Sequence, residues 1–368
     1  MTDIKKLKVV ITFGDPAGIG PEVVLKSLVY YNNDVNVHKS PTRQKNRRVL
    51  FLVAGDLSIL TKTISRLGLK RFIRITEVSP KDKPLYFGSD YNLNFSSAKH
   101  IRCFQILPNT ILIDFKNVDK RWFNFGKVNV SCGKASVEYI TASVDLIKAG
   151  IADALVTSPI NKKAVSMSGF NWPGHTEYLA HLTAAKTVCM MLTGGRLKVV
   201  LATRHIGLRD VSKKLKARDI YEAIILTEQS LKKYFGIKNP KIAVSALNPH
   251  CGEGGLFSDE EKYIIEPAIK KAKLKVSGLI GPLPADSLFY YAYRGKFDAE
   301  IVMYHDQGLI PLKMIAKDTA VNITFGLPFV RTSPAHGSGF DIAGKNKANP
   351  SSMIEAIKMA IKMASGQA

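Results

Sequence analysis

The feature that most constrains this chain is the recurrence of short, nearly unbroken apolar runs rich in β-branched residues. Each ends in a Gly-, Pro- or Asn-rich loop, and most are followed by a helical pattern. Six runs stand out: residues 7–13 (LKVVITF), 48–55 (RVLFLVAG), 153–159 (DALVTSP), 197–203 (LKVVLAT), 241–249 (KIAVSALNP) and 299–305 (AEIVMYH). A strand with one wet face alternates apolar and polar residues. An unbroken apolar run instead suits a strand covered on both faces, as in a mainly parallel sheet between helical layers.

The helices are also readable. Residues 134–149 place Val137, Ile140, Val144 and Ile147 on one face, with Gly150 as the stop. Ser258 and Glu261 have the spacing of a capping box. Asn349 and Pro350 open a last helix whose expected inner face is Ile354, Ile357, Ile361 and Ala364. Strands alternating with helices give an α/β fold, and 368 residues suit two domains. The expected division is 1–165 together with 326–368, and 166–325. Residues 84–130 are less regular and read as antiparallel strands or an excursion, and 33–48 as a surface elaboration.

Composition narrows the function classes. No apolar run reaches the length of a membrane span, and the start MTDIKKLKVVITFG leads into a strand rather than a signal peptide. A soluble, cytoplasmic protein without a membrane partner is the expectation. Cys103, Cys132, Cys189 and Cys251 are widely spaced and suggest neither a zinc ribbon nor a disulfide framework. The formal charge of +23 raises the question of nucleic acid. Its densest run, residues 38–48 (HKSPTRQKNRR), has no interleaved aromatics and reads as a solvated loop. The charge is therefore assigned to solubility and to attraction for anionic substrates, with no nucleic-acid partner.

In open α/β sheets ligands bind beyond the carboxyl ends of the strands. His205, His250 and His305 each follow an apolar run, and parallel strands would bring the three imidazoles to one sheet edge, where they could converge on a divalent metal. The alternative is three loop histidines bonded to backbone. Asp286 and Asp306 are acid–base candidates, or else turn and capping residues. His175 and Thr176, at the start of an apolar helix, suit an anion, or Thr176 is simply the N-cap. Lys313, Asn322 and Arg331 punctuate apolar stretches at nine-residue intervals and carry donors of the kind a phosphorylated substrate needs. The loop 14–22 (GDPAGIGPE) has the look of an anion-binding turn but matches neither dinucleotide nor P-loop fingerprints, so no cofactor-binding residue is assigned.

These segments together resemble the 4-hydroxythreonine-4-phosphate dehydrogenase family of pyridoxal 5′-phosphate biosynthesis. The matching stretches are GDPAGIGPE (14–22), SPINK (158–162), PGHTEYLA (173–180), RHIGLRD (204–210), LNPHCGEGG (247–255), GPLPADSLF (281–289), MYHDQGL (303–309) and VNITFGLPFVRTS (321–333), in family order over almost the whole chain. The resemblance implies an isocitrate-dehydrogenase-like α/β/α fold of two domains and a homodimer whose active site lies at the subunit interface. It also implies NAD and one divalent metal (Zn, Mg, Co or Mn) held by His205, His250 and His305. His175, Thr176, Lys313, Asn322 and Arg331 would contact a small phosphorylated substrate, and Lys313, Asp286 and Asp306 would serve catalysis. The implied reaction is oxidation of 4-phosphooxy-L-threonine at its C3 hydroxyl to 2-amino-3-oxo-4-(phosphooxy)butanoate, which decarboxylates to 3-amino-2-oxopropyl phosphate. The alternative substrates are 4-phospho-D-threonate and D-erythronate 4-phosphate. Departures from the family pattern at Arg204, Gly207, Cys251 and Pro334-Ala335 leave the implied ligands intact and bear on substrate detail.

Overall fold

Apolar runs that must be covered on both faces alternate with amphipathic helices in the structure, a computed structural model that describes residues 6–33, 49–78 and 101–366. Residues 34–48 of the elaboration expected at 33–48, and residues 84–100 of the irregular segment, lie outside the described residues. In chain order come β1 (Leu7–Thr12), α1 (Gly20–Asn33), β2 (Val49–Gly55), α2 (Leu57–Arg66), β3 (Thr76–Val78), β4 (Arg102–Leu107) and β5 (Thr110–Asp114). Next are α3 (Val130–Lys148), β6 (Ala154–Thr157), α4 (Lys162–Met167), α5 (His175–Thr183), β7 (Cys189–Gly194), β8 (Leu197–Leu201) and α6 (Ala217–Phe235). The rest are β9 (Ile242–Ser245), α7 (Glu266–Lys273), β10 (Leu279–Leu283), α8 (Ala285–Tyr293), β11 (Ala299–Val302), α9 (His305–Ala316), β12 (Val321–Phe325), β13 (Val330–Pro334) and α10 (Ser351–Ala364).

The chain divides into two units, one formed by the described residues up to Leu182 with Phe329–Ala364, the other by Thr183–Pro328. In the first unit the strand order is β13-β6-β1-β2-β5-β4-β3. Its first five strands run parallel, whereas β4 is antiparallel to β5 and β3 to β4, so of the irregular segment β5 joins the parallel strands and β4 is antiparallel. β2, β5 and β6 are buried at every position, as their unbroken apolar runs require. In the second unit the order is β10-β9-β11-β8-β7-β12. Here β10, β9, β11 and β8 are parallel, and β7 is antiparallel to both β8 and β12. The α/β class and the mainly parallel sheet are thus as the sequence indicates. No helix among the described residues is long and apolar enough to cross a membrane.

Three local readings change. α3 starts at Val130 because Asn129 accepts from the backbone N–H groups of Ser131 and Cys132 at 2.8 and 3.3 Å, one turn ahead of the apolar periodicity. α10 buries Met353, Ala356, Ile357, Ala360 and Met363 rather than Ile354, Ile361 and Ala364. Its small residues let β13 approach closely enough for the Thr332 hydroxyl to reach the Ala356 carbonyl at 2.8 Å. Glu261 forms no capping box. Its carboxylate leaves its own helix to accept from the backbone of Leu247 and Asn248, each at 2.8 Å.

One buried acid makes stability depend on pH. Glu300 on β11 is fully buried, and its Oε2 accepts from the Lys198 N–H at 3.1 Å while Oε1 has no partner. Burial pushes its carboxyl up to about 8, against the weaker opposing pull of the Lys198 backbone. A raised carboxyl favours the folded state below its unfolded value and loses that advantage as pH climbs to the folded value. The Glu300→Gln protein keeps the acceptor for Lys198 and removes the buried charge. Its gain in unfolding free energy over the parent, measured in urea, is expected to be small at pH 5, to grow up to about pH 8 and then to level off at about a few kcal/mol. A difference independent of pH would contradict this account.

Candidate active site

The second unit brings the carboxyl ends of three adjacent parallel strands together. β8 lies beside β11 and β11 beside β9, so the residues that follow them, His205, His305 and His250, leave the same edge. Two polar side chains stitch these ends. Thr203 Oγ donates to the Met303 carbonyl at 2.6 Å, tying the end of β8 to the end of β11. The buried Gln307 accepts from the Met303 N–H through Oε1 at 2.7 Å and donates through Nε2 to the Ala246 carbonyl at 2.7 Å, tying β11 to β9.

The His205 and His305 rings face each other with centres 5.5 Å apart. Two imidazoles bound tetrahedrally to one zinc-sized ion, at metal–nitrogen distances of about 2.0–2.1 Å, have ring centres about 5 Å apart. His305 is further fixed by Asp306, whose Oδ1 lies 2.6 Å from Nδ1, which leaves Nε2 as the outward donor. His250 is elsewhere. It sits in a turn in which residues 250–254 all adopt left-handed backbone angles, and its ring lies 6.3 Å from that of Phe257. Among the described residues no three His, Cys, Asp or Glu side chains converge closely enough to hold a metal. Two of the three imidazoles are thus paired, and His250 stands on a separate turn.

The remaining candidates of this unit lie apart in sequence and role. Lys313 is exposed on α9, two turns beyond His305. Asn322 on β12 has its Oδ1 shut off from solvent without a partner, an acceptor held open in the interior. Asp286 is exposed in the first turn of α8, where Oδ1 accepts from the Ser287 N–H at 2.8 Å, the helix-start role of an acidic residue.

The first unit carries His175, Thr176 and Arg331. Arg331 on β13 is 2% exposed and donates through Nε and Nη2 to the Thr157 hydroxyl at 3.2 and 2.6 Å. Burial lowers its pKa to about 9, partly offset by the charge of Glu177, so it remains a cation at neutral pH. His175 opens α5, and Thr176 is buried in the first turn, with the helix started by the Tyr178 N–H bonding to Gly174. Thr176 is accordingly not the N-cap. The His175 imidazole is held well below its usual range, first by burial, then by the charge of Arg331 and more weakly that of Lys162, against a hydrogen bond to the Ser158 backbone. Nε2 is solvent-inaccessible and without a partner, so Nδ1 is the nitrogen that donates to Ser158. A neutral acceptor next to a buried cation is an arrangement for an anionic ligand that also carries a hydroxyl or amine donor.

The sequence reading missed several residues. Thr157, Thr203 and Gln307 lie at or just past strand ends, which is the one signal that marks them. Asp15 and Ser158, both fully buried, leave Oδ2 and Oγ without partners beyond β1 and β6. The loop 14–20 is entirely buried. A Cβ at Gly20 would stand 1.9 Å from the Phe13 carbonyl, and one at Gly14 2.3 Å from that of Pro159. Its glycines answer to backbone crowding within the unit, and the loop offers no open cradle to a phosphate.

Comparison with known proteins adds to this geometry. The sequence model of the family described as "Pyridoxal phosphate biosynthetic protein PdxA" matches residues 47–360. The chain is 40% identical over 359 residues to the 4-hydroxythreonine-4-phosphate dehydrogenase of Geobacter metallireducens, covering 98% of this chain and 96% of the relative. It is 36% identical over 357 residues to the D-threonate 4-phosphate dehydrogenase of Salmonella typhimurium, covering 97% and 98%. The crystal structure of 4-hydroxythreonine-4-phosphate dehydrogenase from Klebsiella pneumoniae superposes with a TM-score of 0.74 at 34% identity, covering 97% of this chain and 99% of that one.

The electrostatics of the first unit can be checked without any ligand. In ¹⁵N-resolved NMR the His175 ring is expected to remain neutral, with Nδ1 protonated, throughout pH 6–8. A ring that takes up a second proton near its usual value would remove the basis for a neutral acceptor beside Arg331.

Proposed function

The chain is a member of the pyridoxal phosphate biosynthetic protein PdxA family, a family of dehydrogenases, and from that membership we propose that it oxidises 4-phosphooxy-L-threonine at its C3 hydroxyl, using NAD and a divalent metal. The product, 2-amino-3-oxo-4-(phosphooxy)butanoate, would lose carbon dioxide to give 3-amino-2-oxopropyl phosphate for pyridoxal 5′-phosphate synthesis. The observation that carries this reading is 40% identity held over 98% of the chain to a protein of that activity. The relative of 36% identity that acts on D-threonate 4-phosphate supports a second reading, in which the substrate is 4-phospho-D-threonate or D-erythronate 4-phosphate. We further propose a cytoplasmic homodimer with its active site at the subunit interface.

The chain's own residues would divide the work as follows. Arg331, a cation already stripped of water, favours a phosphoryl or carboxylate group, and Lys313 and Asn322 would supply the other donors. Neutral His175 and Thr176 would orient the substrate by hydrogen bonding. His205 and His305, with His250, would hold the metal, which supplies Lewis acidity toward the substrate oxygens. Asp306 fixes the His305 ring through Nδ1 and raises its basicity. A bound nicotinamide would supply the hydride acceptor for oxidation at C3, and the hydroxyl proton would pass to a base, for which Asp286 and Lys313 are the candidates. Decarboxylation then breaks the bond to the carboxylate and requires one proton at carbon, for which Lys313 is the candidate donor. No described residue is assigned to the nucleotide, since the loop 14–20 is closed on itself.

The reading is tested by following NADH formation with 4-phosphooxy-L-threonine, 4-phospho-D-threonate and D-erythronate 4-phosphate, each with and without chelator. Chelator-sensitive turnover preferring the amino acid is expected. Preference for an acid without the amino group would move the protein to the second reading, and no turnover with any of the three would reject both. The Asp306→Asn protein is expected to bind Zn²⁺ or Co²⁺ about 10- to 100-fold more weakly in a competition titration. Unchanged affinity would remove Asp306 from the support of His305.

A further inference from the structure

Beside the helix α7 lies a concavity of about 660 Å³ bordered by Lys262, Lys270, Lys273, Ile269 and the Gly281-Pro282 stretch of β10. The three lysines are exposed and recur along one helical face, and no carboxylate forms an ion pair with any of them among the described residues. On other helices Lys26, Arg218, Lys232 and Lys358 each pair with an acid one turn away. Glu266, on the same helical segment between Lys262 and Lys270, is the one carboxylate bordering the concavity. Three ammonium groups with one carboxylate among them leave a net positive charge around a hollow of ligand size, which favours a multiply charged anion whose binding relieves the residual repulsion.

Both walls of this groove hold the turn that carries His250. The segment bearing the lysines begins at Glu261, whose buried carboxylate accepts from Leu247 N, Asn248 N and Asn248 Nδ2 at 2.8, 2.8 and 2.9 Å. That first turn is a π-helix, Glu261–Ile265, which widens the backbone just where the side chain crosses to the neighbouring loop. On the opposite wall the Pro282 carbonyl accepts from the Cys251 thiol at 3.7 Å. A shift of either wall is therefore felt at residues 247–251.

We propose that this groove binds a phosphorylated anion carrying a pyrophosphoryl group, and that its occupation is transmitted to the His250 turn through Glu261 and Pro282. The proposal does not depend on which hydroxy acid the protein oxidises, or on whether it oxidises one. It is tested with the full chain at constant ionic strength, using inorganic pyrophosphate and ADP as probes in calorimetry and hydrogen exchange.

Saturable binding is expected, with slowed exchange in 247–256 and 262–282. The Lys270→Gln/Lys273→Gln protein, altered at two exposed positions, is expected to bind at least tenfold more weakly and to lose that protection while keeping its Tm. Tighter binding of ADP than of pyrophosphate would identify a nucleotide as the source of the group, and equal binding a free phosphoanion. Absence of binding by both probes, or binding unchanged in the double variant, would overturn the site. Binding without altered exchange at 247–256 would overturn its link to His250.

Discussion

The side-chain amide of Gln307 is the interaction on which the second unit's chemistry depends. Its two ends satisfy a backbone donor beyond β11 and a backbone acceptor beyond β9, at the point where the parallel ladder stops and the chain must turn away. A buried N–H left without a partner there costs about 1–3 kcal/mol, and an apolar side chain at 307 would leave the Met303 N–H in that state, whereas the Ala246 carbonyl would keep the Ser245 hydroxyl at 2.9 Å. With the amide in place, the strand ends keep their lateral order, and the first turn of α9 starts from a fixed point. Thr203 does the same work between β8 and β11. The pairing of the His205 and His305 rings follows from these two neutral side chains, each of which stands two residues from one of the imidazoles in the sequence.

The same economy of burial explains which parts of the sequence were readable. The strands were legible because a run such as LFLVAG has only one stable environment, a sheet covered on both sides, and β2 is buried throughout. The last helix was legible as a helix but not as a face. Its branched Ile354 and Ile361 sit at the margin, whereas Ala356 and Ala360 take the inside, because close approach to β13 selects for small volume rather than hydrophobicity. Ser258 and Glu261 have capping-box spacing, yet local spacing cannot show that a neighbouring turn offers Glu261 three better donors. His205 and His305 were legible as strand-end residues. The buried acceptor state of His175 was not, since it depends on Arg331, distant in sequence and carried on a strand that returns to the first unit.

Buried charge is used asymmetrically. In the first unit a cation, Arg331, is kept in the interior beside a neutral imidazole, and burial lowers the pKa of both. Burial alone would push such groups toward neutrality, and Arg331 stays charged because its intrinsic value is far above neutral pH. Glu300, in the second unit, is displaced in the opposite sense and is neutral over part of the physiological range. Only the first of these arrangements leaves a field that an anionic ligand would complete. A guanidinium buried in the interior, where desolvation of its charge is costly, is weak as a stabilising feature by itself.

The third imidazole illustrates how strain and anchoring are balanced. His250, Cys251 and Glu253 all have positive φ, a conformation costing on the order of 1–3 kcal/mol for each residue that carries a Cβ. Such a run persists only where its surroundings over-determine it, and here the supports are specific: Glu261 on the preceding backbone, the Pro282 carbonyl on the thiol, and the crowding of Gly252, where a Cβ would stand 2.9 Å from both the Ser258 carbonyl and a Glu261 oxygen. Gly252 is therefore fixed by packing as well as by its φ. The turn is held by a few polar contacts rather than by the apolar core, since residues 253–257 are all exposed. An element that is strained, solvent-facing and tied at two points has a small free-energy gap to other arrangements, and weakening either tie changes where His250 stands relative to the His205–His305 pair.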